Sequence, residues 1–140
     1  MKTYTKDSTT REELVRRHLH RSTSQKYLER AVDAVLQGRV KKHIFAPSGR
    51  ILYTVVGRNG DEFIDPEKPF CSCEHFFFRV LGAKGQTCYH LLAYSIADET
   101  NLFHRFEFHD EEFSLFLKLL SSDLLARTGE EHNDEAEPRP

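Results

Sequence analysis

Apolar residues recur at helical spacing near both ends of this chain and alternate with polar ones through its middle. Thr10 to Glu13 (TREE) has the form of a capping box. It predicts the start of a short helix with Leu14, Val15, His18 and Leu19 on one side. From Ser24 to Gln37, the residues Tyr27, Leu28, Ala31, Val32, Val35 and Leu36 keep helical spacing, and Gly38 is a natural stop. The period then shortens. VKKHIF, a PSGR turn, ILYTVV and an RNGD turn lead to a third strand near Glu62 to Ile64. Asn59-Gly60 is a two-residue turn signal, and Pro47, Ser48 and Gly49 suit a tight turn. The pattern predicts an antiparallel three-stranded β-meander.

Pro66 and Pro69 break the chain after the meander. EHFFFRVL then reads as a short helix, whose consecutive Phe76, Phe77 and Phe78 cannot all face one way. LLAYSIADE predicts another helix. Asp110 to Arg127 predicts a last one, with Phe113, Phe116, Leu117, Leu120 and Leu124 in one stripe. Leu115, Leu119 and Leu125 lie off that stripe and widen it. One face of this helix can cover the core, leaving another as a partner surface. From Gly129 onward the chain is polar and acidic and reads as a disordered tail.

The chemistry concentrates between the meander and the later helices. Cys71, Cys73, Cys88 and His90 form the pattern C-x-C-x14-C-x-H and use every cysteine in the chain. Three thiols and one imidazole make a complete tetrahedral set for one Zn²⁺, with no open coordination position. That composition predicts a structural metal rather than a metalloenzyme. In an extended segment, residues i and i+2 point to the same side, so Cys71 and Cys73 can aim both sulfurs at one ion. The helical period would separate Cys88 from His90. They are therefore expected to straddle a helix start, with Cys88 at or before the cap and His90 in the first turn.

Other readings of these residues compete. Three cysteines leave one unpaired in any disulfide scheme. A Cys88–His90 nucleophile pair has the residue types without supporting context. Inert buried cysteines suit a lone Cys better than a paired C-x-C and C-x-H. His75 is a spare ligand candidate, with packing or capping as its simpler role.

The chain has 140 residues, which suggests one domain. Setting the tails aside leaves about 100 to 115 residues, enough for a modest core. The expected fold class is α+β, a small zinc-stapled domain. Its parts are N-terminal helices over 1–38, the zinc-binding meander and helices over 39–99, a C-terminal helix over 100–128, and an acidic tail over 129–140. The N-terminus lacks the apolar core of a secretory signal, and no apolar run reaches the ~18 residues of a membrane span. Reduced thiols then point to an intracellular protein, cytoplasmic in an archaeon or bacterium and nuclear in a eukaryote.

The net charge of −2 hides a segregation. Residues 1–58 hold 13 Lys and Arg against 5 Asp and Glu; residues 59–140 hold 7 against 17. The basic half can meet nucleic acid or an acidic partner. Arg39, Lys41, Lys42 and Arg50 gather around the first hairpin as candidate nucleic-acid contacts, with Arg16, Arg17 and Arg21 upstream. Phe45 and Tyr53 can stack on bases. A solvated surface is the plainer reading of each charge taken singly. Catalysis finds little support: APSGR lacks the spacing of a phosphate-binding loop, and no paired carboxylates stand out.

With ligands, turns and strands in place, the chain resembles a SWIM-type zinc finger. Cys71, Cys73, Cys88 and His90 carry that family's pattern. Pro47 to Arg50, Tyr53, Val55, Gly57, Phe70 to Cys73, Phe76, Phe78, Val80, Leu81 and Cys88 to Ala93 extend the likeness over about residues 39 to 97. The flanks are similar to the short single-domain SWIM proteins, which include the SWIM subunit of the Shu recombination complex. The resemblance implies an adaptor that partners a RecA-like recombinase paralog in homologous recombination and DNA repair. DNA contact would arise mainly within such a complex. Family members often carry Lys between the last Cys and His, where this chain has Tyr89. A contact made by that Lys would have no counterpart here. The alternative function is a direct nucleic-acid-binding zinc module using the basic half.

Overall fold

A computed structural model describes residues 8–22, 24–58, 60–73 and 88–133. Helix α1 (Ser8–Arg17) and a 3-10 turn (Leu19–Arg21) lead into α2 (Gln25–Leu36). The strands β1 (Val40–Ala46), β2 (Arg50–Gly57), β3 (Gly60–Asp65) and β4 (Phe70–Cys71) follow. Next come α3 (Tyr89–Thr100), β5 (His104–His109), a 3-10 turn (Asp110–Glu112) and α4 (Phe113–Asn133).

The architecture is α+β, but the sheet has five strands in the order β4-β3-β2-β1-β5, not three. β1, β2 and β3 pair antiparallel in succession, and β4 extends them antiparallel. β5 adds on the far side of β1 and runs parallel to it, from Lys41 opposite His104 to Ala46 opposite His109. HRFEFH alternates polar and aromatic residues as a half-buried strand should. A parallel neighbour so distant in sequence leaves no hairpin turn to announce it. β5 also ties the chain beyond residue 100 into the same sheet.

Local chemistry explains most element ends. Ser24 caps α2, its hydroxyl accepting from the Tyr27 N–H at 3.2 Å, and Gly38 follows with φ of +72°. The helix at the TREE segment begins at Ser8, so Thr10 lies within the first turn and is not its cap. The second turn closes with Gly57 opposite Gly60, which moves it one position upstream of the Asn59-Gly60 pair. α4 runs to Asn133, so the first residues of the expected tail continue that helix. The expected EHFFFRVL helix, His75 and the three consecutive phenylalanines lie outside the described residues.

Register assigns the two sheet faces. Val40, Val55 and Glu62 form one row, and Tyr53, Ile64 and Cys71 the next. α2 and α3 cover this face. Leu28, Ala31, Val32 and Val35 meet Leu92, Ala93, Ile96 and the strand residues in one buried cluster. α1 adds Leu14 and Val15 to it, and Glu99 of α3 accepts from buried His18 at 3.2 Å and from Arg21. The opposite face carries His43, Phe45, Phe106 and Phe108, with α4 packed over it through Phe113 and Phe116. The sheet is thus the middle of three layers. Among the described residues no helix is long and apolar enough to cross a membrane.

Candidate metal centre

Cys71 ends β4 on the face covered by α3, and Cys73 follows two residues later. The intervening Ser72 is fastened to β3 by three hydrogen bonds. Its N–H donates to the Phe63 carbonyl at 3.0 Å, its hydroxyl accepts from the Phe63 N–H at 2.9 Å, and the same hydroxyl donates to Glu62 at 2.9 Å. These bonds fix Ser72 to β3 and so fix the backbone that carries both flanking sulfurs. Glu62 is buried on the helix-covered face. On the other half, Cys88 is the N-cap of α3 and His90 sits in its first turn, as the C-x-H spacing requires.

The two halves meet. One donor atom from each of Cys71, Cys73, Cys88 and His90 lies within 4.8 Å of the other three, and all four residues are buried. Such a group can hold a metal ion, and three observations test the fit. Neither ring nitrogen of His90 has a hydrogen-bond partner, although both are buried. An orphaned buried imidazole is costly unless one nitrogen ligates something. Backbone N–H groups support the sulfurs: Cys73 N–H donates to Cys71 Sγ at 3.4 Å and Leu91 N–H to Cys88 Sγ at 3.5 Å. Finally, Gly57 makes room for the histidine. A Cβ there would stand 2.4 Å from His90 Nε2.

The sulfurs also show what the cluster lacks on its own. Hydrogen bonds from the Cys71 and Cys73 thiols, aided by the Leu91 and His90 N–H groups, pull Cys88 down to about 4. Cys71 is pushed the other way by its bonds to Cys73 and Cys88 and by burial. Three buried thiolates cannot crowd together without a cation to offset them. A divalent ion supplies that charge, and four protein donors leave it no open position for substrate.

Tyr89, between the two α3 ligands, packs its ring 4.1 Å from His90 and lies under the Arg30 guanidinium at 4.7 Å. The four basic residues read from the hairpin do not share a patch. Lys41 and Lys42 are adjacent in β1 and project to opposite faces, over Phe106 at 5.6 Å and Phe103 at 5.5 Å. Arg50 stands over Phe113 at the turn end of β2. Arg39 lies at the other end of the hairpin and donates to the Val56 carbonyl at 3.0 Å. Phe45 and Tyr53 are taken up in packing, the first wholly buried and the second against Tyr94 and Phe103.

The C-terminal stripe divides in a similar way. Phe113, Phe116, Leu120 and Leu124 are half-buried, and both phenylalanines pack on Phe45. Leu117, at 37% exposure, is on the edge, while Leu115, Leu119 and Leu125 are open at 58%, 63% and 72%. The outward apolar surface of α4 is therefore mostly the off-stripe leucines. Gly57, Ser72 and Glu62 are the site residues that spacing missed as site residues. Their partners lie on other elements of the fold, and only the glycine had a signal, its place in the pattern of residues 39 to 97. Comparison with family models, with curated proteins and with solved structures finds no match for this chain.

Proposed function

We propose that this chain is a SWIM-type zinc protein that works as a non-catalytic adaptor, binding a RecA-like recombinase paralog in homologous recombination. The observation that carries the adaptor reading is the closed shell. Four buried donors around one point provide structure and leave no reactive position on the ion. Zinc is the ion best matched to a Cys₃His set, being indifferent to redox and content with four ligands. Thiol ligands suit a reducing intracellular compartment. A protein-binding role draws support from Leu115, Leu119 and Leu125 of α4, whose exposed side chains offer a partner apolar area. The recombinase paralog as partner rests on the resemblance over residues 39 to 97.

Metal analysis of the purified protein should give about one zinc per chain. Affinity purification from the native host should recover a RecA-like ATPase, and the Leu115→Ser/Leu119→Ser double variant should recover less of it. A folded, metal-free protein would reject the zinc centre. Recovery of ubiquitin-transfer or transposition proteins instead would reject the recombination role.

A further inference from the structure

Beside the metal cluster lies a second feature, a pocket of about 250 Å³ between α2, the end of β2 and the start of α3. Its walls carry Arg30, Arg39 and Arg58, with Tyr89 and Gln37. Asp33 also lines it, but that carboxylate is engaged by Arg11 through two bonds of 2.6 and 3.2 Å. The local charge is therefore positive.

The three guanidinium groups differ in how far they are used. Gln37 Oε1 and the Val56 carbonyl hold Arg39 from its Nε and one Nη. Arg30 rests on the Tyr89 ring and has no carboxylate partner among the described residues. Arg58 is exposed at the end of β2, and no acceptor meets it among the described residues. Such donor forks match the oxygens of a phosphate, to which Arg binds in bidentate fashion. Tyr89 is the first residue of the 12-residue helix α3, whose positive end favours an anion.

We propose that this pocket seats one phosphodiester group of a nucleic-acid strand. Its volume falls below that of typical small-molecule sites, so it fits a single phosphate better than a whole nucleotide. The Arg30 guanidinium lies with one face on the half-buried Tyr89 ring and offers its other face to a base, a planar cationic surface of the kind on which unpaired bases stack. A phosphorylated peptide fits less well. It would meet the same arginines but leave the planar stacking surface of Arg30 unused. The inference does not depend on the recombinase reading, because the metal content and the protein partner are measured separately.

The test uses the full metal-loaded chain and a labelled single-stranded oligonucleotide, followed by fluorescence anisotropy across a salt series. Arg58→Ala and Arg30→Ala should each weaken binding roughly tenfold and lower the salt slope by about one. Arg105→Ala, on β5 and outside the pocket, should bind as the unaltered protein does. Circular dichroism and metal content serve as the folding check, and neither substituted arginine holds a backbone group among the described residues. An oligonucleotide that does not bind would overturn the proposal. So would equal binding by all variants. If inorganic phosphate binds with the same arginine dependence but the oligonucleotide does not, the strand is the wrong occupant and the proposal fails.

Discussion

His90 and Gly57 define the metal centre as much as the sulfurs do. The imidazole is buried with both nitrogens unpartnered, and the glycine gives it room. Gly57→Ala keeps an allowed backbone but drives a methyl into the ring, so metal affinity should fall roughly 10- to 100-fold, the range for disturbed ligand orientation. Competition with a chromogenic chelator measures this, and an unchanged affinity would remove Gly57 from the centre. His43 makes a different prediction. Burial first, then Lys41, pushes its pKa from 6.5 down to about 4. The unfolded chain thus takes up this proton at higher pH than the folded one does. The stability it contributes is complete above about 6.5 and is lost as pH falls toward 4. Thermal midpoints should decline through that window, less steeply in His43→Leu; equal slopes would refute this account. The grouping of Cys71, Cys73, Cys88 and His90 was legible because paired donors at short spacing are rare outside metal sites. Ser72 and Glu62 were not, because their role exists only once β3 and β4 pair.

Each strand and helix shows how far local pattern reaches. α2 was readable because its signals lie within or beside its own residues: the apolar stripe and Gly38; the Ser24 cap adds a third. β5 was not, because its partner is far upstream and runs parallel. α4 had a clear stripe, but which side faced the protein depended on an aromatic sheet face that β5 completes. Phe45 is the centre of that layer, fully buried with Phe108 at 5.2 Å and Phe113 at 4.9 Å. Phe45→Ala should cost about 3–5 kcal/mol in urea denaturation. Leu119→Ser on the outer side should stay within about 0.5 kcal/mol. A large loss from Leu119→Ser would mean that α4 buries a different face in solution.

At the scale of the whole molecule, one joint stands between the layers. Cys71 and Cys73 come from the sheet side, Cys88 and His90 from the covering helix, so an ion held by the four would fasten one layer to the next. Apparent binding energies of about 10–16 kcal/mol for structural zinc rival the total stability of a small domain, about 5–15 kcal/mol. Adding a strong chelator should therefore lower the thermal midpoint sharply or unfold the chain, as followed by far-ultraviolet circular dichroism, with recovery on adding zinc. A chelated protein that melts unchanged would assign stability to the apolar core alone. The layer arrangement was the least legible scale in the sequence. Alternation marks a strand's two faces but not which helix will cover each.

The parallel pairing of β5 with β1 also has a consequence for the order of events during synthesis. A chain leaving the ribosome exposes α1 and α2 and then β1, β2 and β3, and these strands can close on themselves through short turns. The outer edge of β1 then has no neighbour until His104–His109 emerges, after both pairs of metal donors have been made. During that interval the nascent sheet presents an unprotected edge to any passing strand. Capture of an ion by the four donors would shorten the chain that must be closed to bring β5 home. Metal supply at the moment of translation would then bear on how much of the protein escapes aggregation, before it bears on what the finished protein does.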